Sequence, residues 1–226
     1  MNGAESLVRT LVHNKVDVCF SNPGTSEMHF VGALDKVTGI RCVLGLFEGV
    51  ITGAADGYFR MSGKPASTLL HLGPGLANGL ASIHNAKKAN SGMVNIIGQH
   101  TLQHLELESP LTSDIEAIAK PMSHWVKTSK KSEELSKDGA EAIENAKKAP
   151  GQISSLILPA DTAWGEGGDI VKAKDSAYRT KVDKETIQNI AKFLSNGKHS
   201  TLLLGGGALT VEATLLAGKI SRKTGC

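Results

Sequence analysis

Residues Gly45 to Gly63 read Gly-Leu-Phe-Glu-Gly-Val-Ile-Thr-Gly-Ala-Ala-Asp-Gly-Tyr-Phe-Arg-Met-Ser-Gly, and the fold is decided here. The run that leads in, Ile40 to Phe47, is mostly apolar and predicts a buried strand. From Gly49 onward Val50, Ile51, Ala54, Ala55, Tyr58 and Phe59 recur at helical spacing. One carboxylate, Glu48, stands at the junction of strand and helix. Gly49, Gly53 and Gly57 fall at i, i+4 and i+8 and so share one side of the helix. Each interior glycine costs about 1 kcal/mol relative to alanine. Three on one side make sense where another backbone or a ligand must come very close. Taken alone, Glu48 is accounted for by the helix dipole, which favours a first-turn carboxylate by about 0.3–1 kcal/mol. Its place at the mouth of a tight seam also suits an acid with a chemical task.

Outward from this stretch, strands and helices alternate. Helix 4–14 precedes strand 16–21 and the turn Asn22-Pro23-Gly24, after which Thr25 or Ser26 can cap a helix to about Lys36. Beyond the glycine-striped helix come strand 66–72, the loop Gly73-Pro74-Gly75, helix 76–89 and strand 93–99. A polar loop, 100–113, leads to a short helix, strand 124–128, helix 133–149 and strand 153–158. Six short apolar strands separated by helices predict an α/β domain of three layers, a mainly parallel six-stranded sheet with helices on both faces. Residues 165–182 lack periodicity and read as a linker. Helix 184–194, strand 200–204, the turn Gly205-Gly206-Gly207 and helix 209–223 form one more αβα unit, too small for a core of its own. It reads as the incomplete beginning of a second domain, 183–226.

In parallel α/β sheets, sites lie at the carboxyl ends of the strands. Asn22-Pro23-Gly24-Thr25, Glu48, His71 to Gly75, and Gln99 all occupy such ends. Each has an ordinary explanation: two turn signals, a hydrogen-bonded structural histidine, a loop amide. Their coincidence on one rim is the stronger signal.

Composition removes other classes. The 226 residues are 40% hydrophobic and 21% charged with a net charge of +3, an ordinary globular balance. Lysine pairs at 87–88, 130–131 and 147–148 sit at helix ends or in loops, and there are only nine aromatic residues, so no nucleic-acid partner is expected. No apolar run reaches the roughly 20 residues of a membrane span, and the amino terminus enters an amphipathic helix without a secretory signal. Cys19, Cys42 and Cys226 are odd in number and lack metal spacing, which predicts reduced thiols and a cytoplasmic protein. His100 and His104 stand at i, i+4 in a polar loop, where coincidence explains the spacing; no metal ligands are expected in the chain.

Several motifs, in order, carry a resemblance. They are Phe20-Ser-Asn-Pro-Gly-Thr-Ser-Glu27, Glu48-Gly-Val-Ile-Thr-Gly-Ala-Ala-Asp-Gly-Tyr58, Gly63-Lys-Pro65, Gly73-Pro-Gly-Leu-Ala-Asn-Gly79, Ile96-Ile-Gly-Gln99 and Leu156-Ile-Leu-Pro-Ala-Asp161. From about Asn2 to Trp164 the chain resembles the N-terminal pyrimidine-binding domain of thiamin diphosphate-dependent enzymes, the group of acetolactate synthase, benzoylformate decarboxylase and oxalyl-CoA decarboxylase. The first domain is therefore expected over 1–164, and the tail from Asp183 looks like the start of that family's central domain. The resemblance implies that Glu48 hydrogen-bonds N1′ of the aminopyrimidine. For that bond the carboxyl must be protonated or share a proton, which an apolar, desolvated setting favours. Donation to N1′ promotes the imino tautomer that deprotonates the thiazolium for attack on a 2-keto acid; the cofactor supplies the chemistry. The resemblance also places the striped helix at a dimer seam, where the partner subunit brings the diphosphate-binding domain.

By the same resemblance His71 transfers a proton or orients substrate. Asn22, Pro23, Gly24 and Thr25 form a loop that approaches it, and Gly73, Gly75, Asn78 and Gln99 line the pocket or touch cofactor. Acetolactate synthases usually carry Gln directly after the glutamate; here Gly49 follows it and Phe47 precedes it, which leaves a decarboxylase or another keto-acid lyase open. No Gly-Asp-Gly with a downstream Asn occurs, the motif by which the family holds Mg²⁺ and diphosphate. The expectation is a chain with only the pyrimidine half of the cofactor site, inactive alone, with Mg²⁺ supplied from a missing domain. It would be part of a homodimer or homotetramer acting on a 2-keto acid. A split enzyme whose diphosphate domain is a separate chain, and a non-catalytic module that retains the fold, are the alternatives.

Overall fold

The computed structural model describes residues 1–175 and 181–226. In chain order the first unit runs α1 (Gly3–His13), β1 (Val18–Asn22), α2 (Met28–Lys36), β2 (Arg41–Leu44), α3 (Glu48–Ser62), β3 (Ala66–Leu70) and α4 (Leu72–Lys88). It continues through β4 (Met93–Gln99), α5 (Ile115–Ala119), β5 (Trp125–Thr128), α6 (Leu135–Ala146), β6 (Ile153–Pro159) and α7 (Ala160–Trp164). All six strands are parallel, in the order β2-β1-β3-β4-β6-β5. Every carboxyl end therefore opens on one edge of the sheet.

Adjacent residues of each central strand feed opposite layers, as the pleat requires. Leu69, Ile96 and Leu156 lie in register and pack with Leu7, Leu11, Phe30 and Ile143 beneath α1, α2 and α6. Their neighbours Leu70, Ile97 and Ile157 pack with Leu72, Leu76, Ile83 and Ile115 beneath α4 and α5. This double burial is why β3, β4 and β6 are apolar runs with every residue buried. The expected α/β class with three layers is the observed one.

Several local expectations are corrected. Ile40–Phe47 is not a buried strand: β2 is a short edge strand, and Leu44, Leu46 and Phe47 are exposed. An apolar run cannot distinguish a central strand from an edge that awaits a cover. Gly73-Pro74-Gly75 is not a loop but lies within the first turn of α4, where Pro74 forfeits an amide that no helical carbonyl would have met. The short helix α7 went unread. No strand forms at 200–204, since a strand needs a partner ladder and none is present among the described residues.

Residues 165–175, taken from the sequence as the first part of a linker, lie along α1. Glu166 bridges Asn2, the Asn14 side chain holds the Val171 carbonyl and the Ala173 amide at 2.8 Å each, and Ala173 is buried. Residues 176–180 of that expected linker lie outside the described residues. The chain divides into compact units at Met1–Ala177 and Tyr178–Cys226. The second unit holds α8 (Lys184–Leu194) and α9 (Val211–Thr224), each with a side-chain cap, from Asp183 and Thr210. Its Ile187, Ile190, Phe193, Leu203 and Leu215 are exposed. No helix among the described residues is long and apolar enough to cross a membrane.

Candidate functional site

The strands β2, β1, β3 and β4 are neighbours, so their carboxyl ends bring the loops after Leu44, Asn22, Leu70 and Gln99 side by side. Two clusters of polar side chains form there.

The first is built where α3 and α4 begin. Phe47 is extended and caps α3, so Glu48 is the first helical residue, only 8% exposed. Its Oε2 accepts a hydrogen bond from the Asn78 amide at 3.1 Å, one turn and a half into α4. Among the described residues no donor reaches Oε1, which faces Gly75; a methyl group there would sit 3.2 Å from that oxygen. The two helices approach closely because the Thr52 hydroxyl donates to the Gly79 carbonyl at 3.1 Å and Ser82 to the Gly49 carbonyl at 3.0 Å. The glycine stripe thus serves different surroundings: the Gly49 carbonyl meets Ser82 while a methyl there would meet the Phe47 ring, Gly53 faces Ser82 of α4, and nothing lies within 4 Å of a methyl added at Gly57. Val50, Ala54, Gly57 and Met61 form an outward face, with Val50 61% and Met61 89% exposed.

The second cluster was not anticipated. Glu27 ends a 3₁₀ turn, Thr25–Glu27, and is fully buried. Its Oε2 accepts from the Gly24 amide and lies 2.7 Å from Nδ1 of His71, the residue that caps α4. Gly24 lies so close over the His71 ring that any side chain there would collide with it, and Gly98 leaves the space that Oε1 of Glu27 fills. Among the described residues that Oε1 has no hydrogen-bond partner. Burial holds the Glu27 carboxyl above its ordinary value, against the opposing pull of the Gly24 amide and His71. A helix cap contributes about 1 kcal/mol, while an orphaned buried acceptor costs about 1–3 kcal/mol. Capping alone does not account for a carboxylate at this place. Leu72, next to His71, adopts φ +49 and is completely buried, an uncommon conformation for leucine that the core packing holds.

Gly75 lies between the clusters, 3.2 Å from Glu48 Oε1 and 3.4 Å from His71 Cβ as judged from an added methyl. Of the residues singled out in the sequence, Glu48, Asn78 and Gly75 are brought together, and so are His71 and Gly24. Asn22 ends β1, and Pro23 and Thr25 follow it on the same rim; among the described residues none has a side-chain hydrogen bond to Glu48. Gly73 instead admits Ser113 of the 100–114 loop. Gln99 is buried, spends its Oε1 on the His100 amide at 2.9 Å, and lines a cavity of about 370 Å³ with Leu102, Ser113, Thr128 and Lys130. Glu27 was missed although it stands three residues after Gly24, the spacing of a capping box. Among the described residues no group of three or more His, Cys, Asp or Glu is placed to hold a metal.

Comparison with known proteins bears on the fold and the family. A Mycobacterium tuberculosis protein, provisionally named acetolactate synthase large subunit IlvX, is 46% identical over the whole chain, which covers 43% of it. Benzoylformate decarboxylase of Pseudomonas aeruginosa is 27% identical over 90% of the chain and 39% of its own length. The chain thus spans about two fifths of these relatives. A thiamine diphosphate-dependent 4-hydroxybenzoylformate decarboxylase of Rhodococcus jostii RHA1 shares the fold, with a TM-score of 0.78 at 22% identity over 87% of this chain and 38% of that one. The profile of the family described as thiamine pyrophosphate enzyme, N-terminal TPP binding domain, matches residues 1–121. That is more than half of the 226 residues, and the chain belongs to this family of thiamine pyrophosphate enzymes.

Proposed function

We propose that this chain is the part of a 2-keto acid decarboxylase, or of a related lyase or acetolactate synthase-like enzyme, that receives the aminopyrimidine of thiamin diphosphate at Glu48. The observation that carries the reading is a buried carboxyl with one oxygen held by Asn78 and the other facing the space beside Gly75. Such a donor set fits a ring nitrogen that must share a proton with an acid. When bound, thiamin diphosphate supplies the carbon nucleophile and the electron sink for cleavage beside a keto carbonyl. The protein's own contribution is positional. Asn78 fixes the plane of the Glu48 carboxyl, Glu48 holds a proton at Oε1, and Gly75 admits the ring edge. His71, on the next strand end, orients substrate or moves a proton at its exposed nitrogen, and the 22–25 loop covers it. Gln99 lines the neighbouring cavity, and Gly73 packs against Ser113 of its wall.

The diphosphate and Mg²⁺ would be held by residues outside this chain, since no Gly-Asp-Gly with a downstream Asn occurs in it. The exposed Leu44, Leu46, Phe47 and Val50 beside Glu48 favour a second polypeptide over this face, as a homodimer or a higher assembly. The isolated chain is then inactive and cytoplasmic in the full-length enzyme's compartment. Glu48→Gln in the full-length protein is expected to abolish decarboxylation of benzoylformate or pyruvate, read as carbon dioxide release. Unchanged turnover would end the assignment.

A further inference from the structure

Resting on the reading of His71 above, we infer that Glu27 is its positioning residue: a buried carboxylate that fixes the imidazole with its proton on Nδ1 and presents Nε2 to the substrate.

The geometry restricts the ring from three sides. Oε2 of Glu27 lies 2.7 Å from Nδ1, and the carboxylate is itself pinned by the Gly24 amide at 2.7 Å. Gly24 lies on the ring, so rotation toward solvent would drive the imidazole into the backbone. Leu72, completely buried at φ +49, fixes the backbone from which the ring projects. Oε2 already accepts from the Gly24 amide, so it is an acceptor toward Nδ1 as well; Nδ1 carries the proton, and the other nitrogen is set by that choice. Gly98 is the counterpart on β4: with any side chain at that position Glu27 could not reach His71. Three segments far apart in sequence thus converge on one ring nitrogen.

The tautomer can be read without substrate. In this chain labelled with ¹⁵N-histidine, long-range ¹H–¹⁵N spectra should show His71 protonated at Nδ1, with a downfield Nδ1 proton. Glu27→Met, which keeps the volume and removes the acceptor, should move the proton to Nε2. A wild-type ring protonated at Nε2, or a tautomer unchanged in Glu27→Met, would overturn the inference. Should that variant fail to fold, the wild-type spectrum alone decides. In the full-length enzyme Glu27→Gln, which retains volume and a polar cap, should lower kcat by tenfold or more while KM moves less than threefold. Equal kcat in both proteins would also overturn it. Lack of keto-acid turnover in the wild type itself, with the expected spectrum, would remove the enzymatic reading and leave the Glu27–His71 pairing standing.

Discussion

At the scale of single residues, the rim of the sheet shows how environment assigns work to similar groups. Glu48 and Glu27 are both buried carboxylates near the starts of helices, yet one has an oxygen facing the space beside Gly75 and the other is enclosed by its own chain. Enclosure has a measurable cost. For Glu27 the folded state binds its proton more tightly than the unfolded chain, whose carboxyl titrates near 4.5. As pH rises past 4.5 toward the folded value, the unfolded state is the one that sheds the proton first, so stability falls across that window. Urea midpoints measured against pH should show wild type losing stability there relative to Glu27→Gln. Cys19 offers a second check: burial pushes its thiol up to about 12, while Cys42 is exposed. Alkylation by iodoacetamide at pH 8 is expected at Cys42 and not at Cys19 in the folded chain. Gly98→Ala should lower stability by about 1–3 kcal/mol, since its methyl meets a buried carboxyl that cannot retreat. Glu48 and His71 could be found from the sequence because each ends an apolar run. Glu27 could not, because a glutamate in a first turn is ordinary until β1, β3 and β4 lie side by side around it.

At the scale of elements, α3 carries a contrast within one helix. Its start packs on α4 through Gly49, and its Gly57 faces open space. Gly57→Ala should therefore stabilise the isolated chain by about 1 kcal/mol in chemical denaturation. In an assembly that uses the same face as a seam, the methyl should instead weaken association, visible as a lower dimer fraction in sedimentation. The 165–175 strap gives another test. Asn14→Ala removes three hydrogen bonds, two of them to Val171 and Ala173 and one to the Thr10 carbonyl, and should cost about 1–3 kcal/mol. The edge strands β2 and β5 are not buried on both faces, whereas the central strands β3, β4 and β6 are, so their mostly apolar runs were readable. The onset of α4 was not, since Gly-Pro-Gly signals a turn by its local chemistry and becomes helical only under a buried Leu72 held at positive φ.

At the scale of the whole molecule, stability is unevenly shared. The first unit owns both core layers, whereas α8 and α9 of the second leave most of their apolar residues uncovered. Hydrogen exchange should find the slowest amides in β3, β4 and β6 and much faster exchange across residues 184–224. The apolar pattern of 200–204 predicts a strand, and pattern is insufficient where, among the described residues, no neighbouring strand pairs with it. The edge strand β2 has a further consequence. It offers unpaired backbone groups beside Leu44, which is 67% exposed, and Leu46, which is 89% exposed. A bare strand margin of that kind recruits whatever β-structure it meets. In an assembly that covers this margin, copies made in excess of the covering chain would be the ones prone to clump or to be cut by proteases.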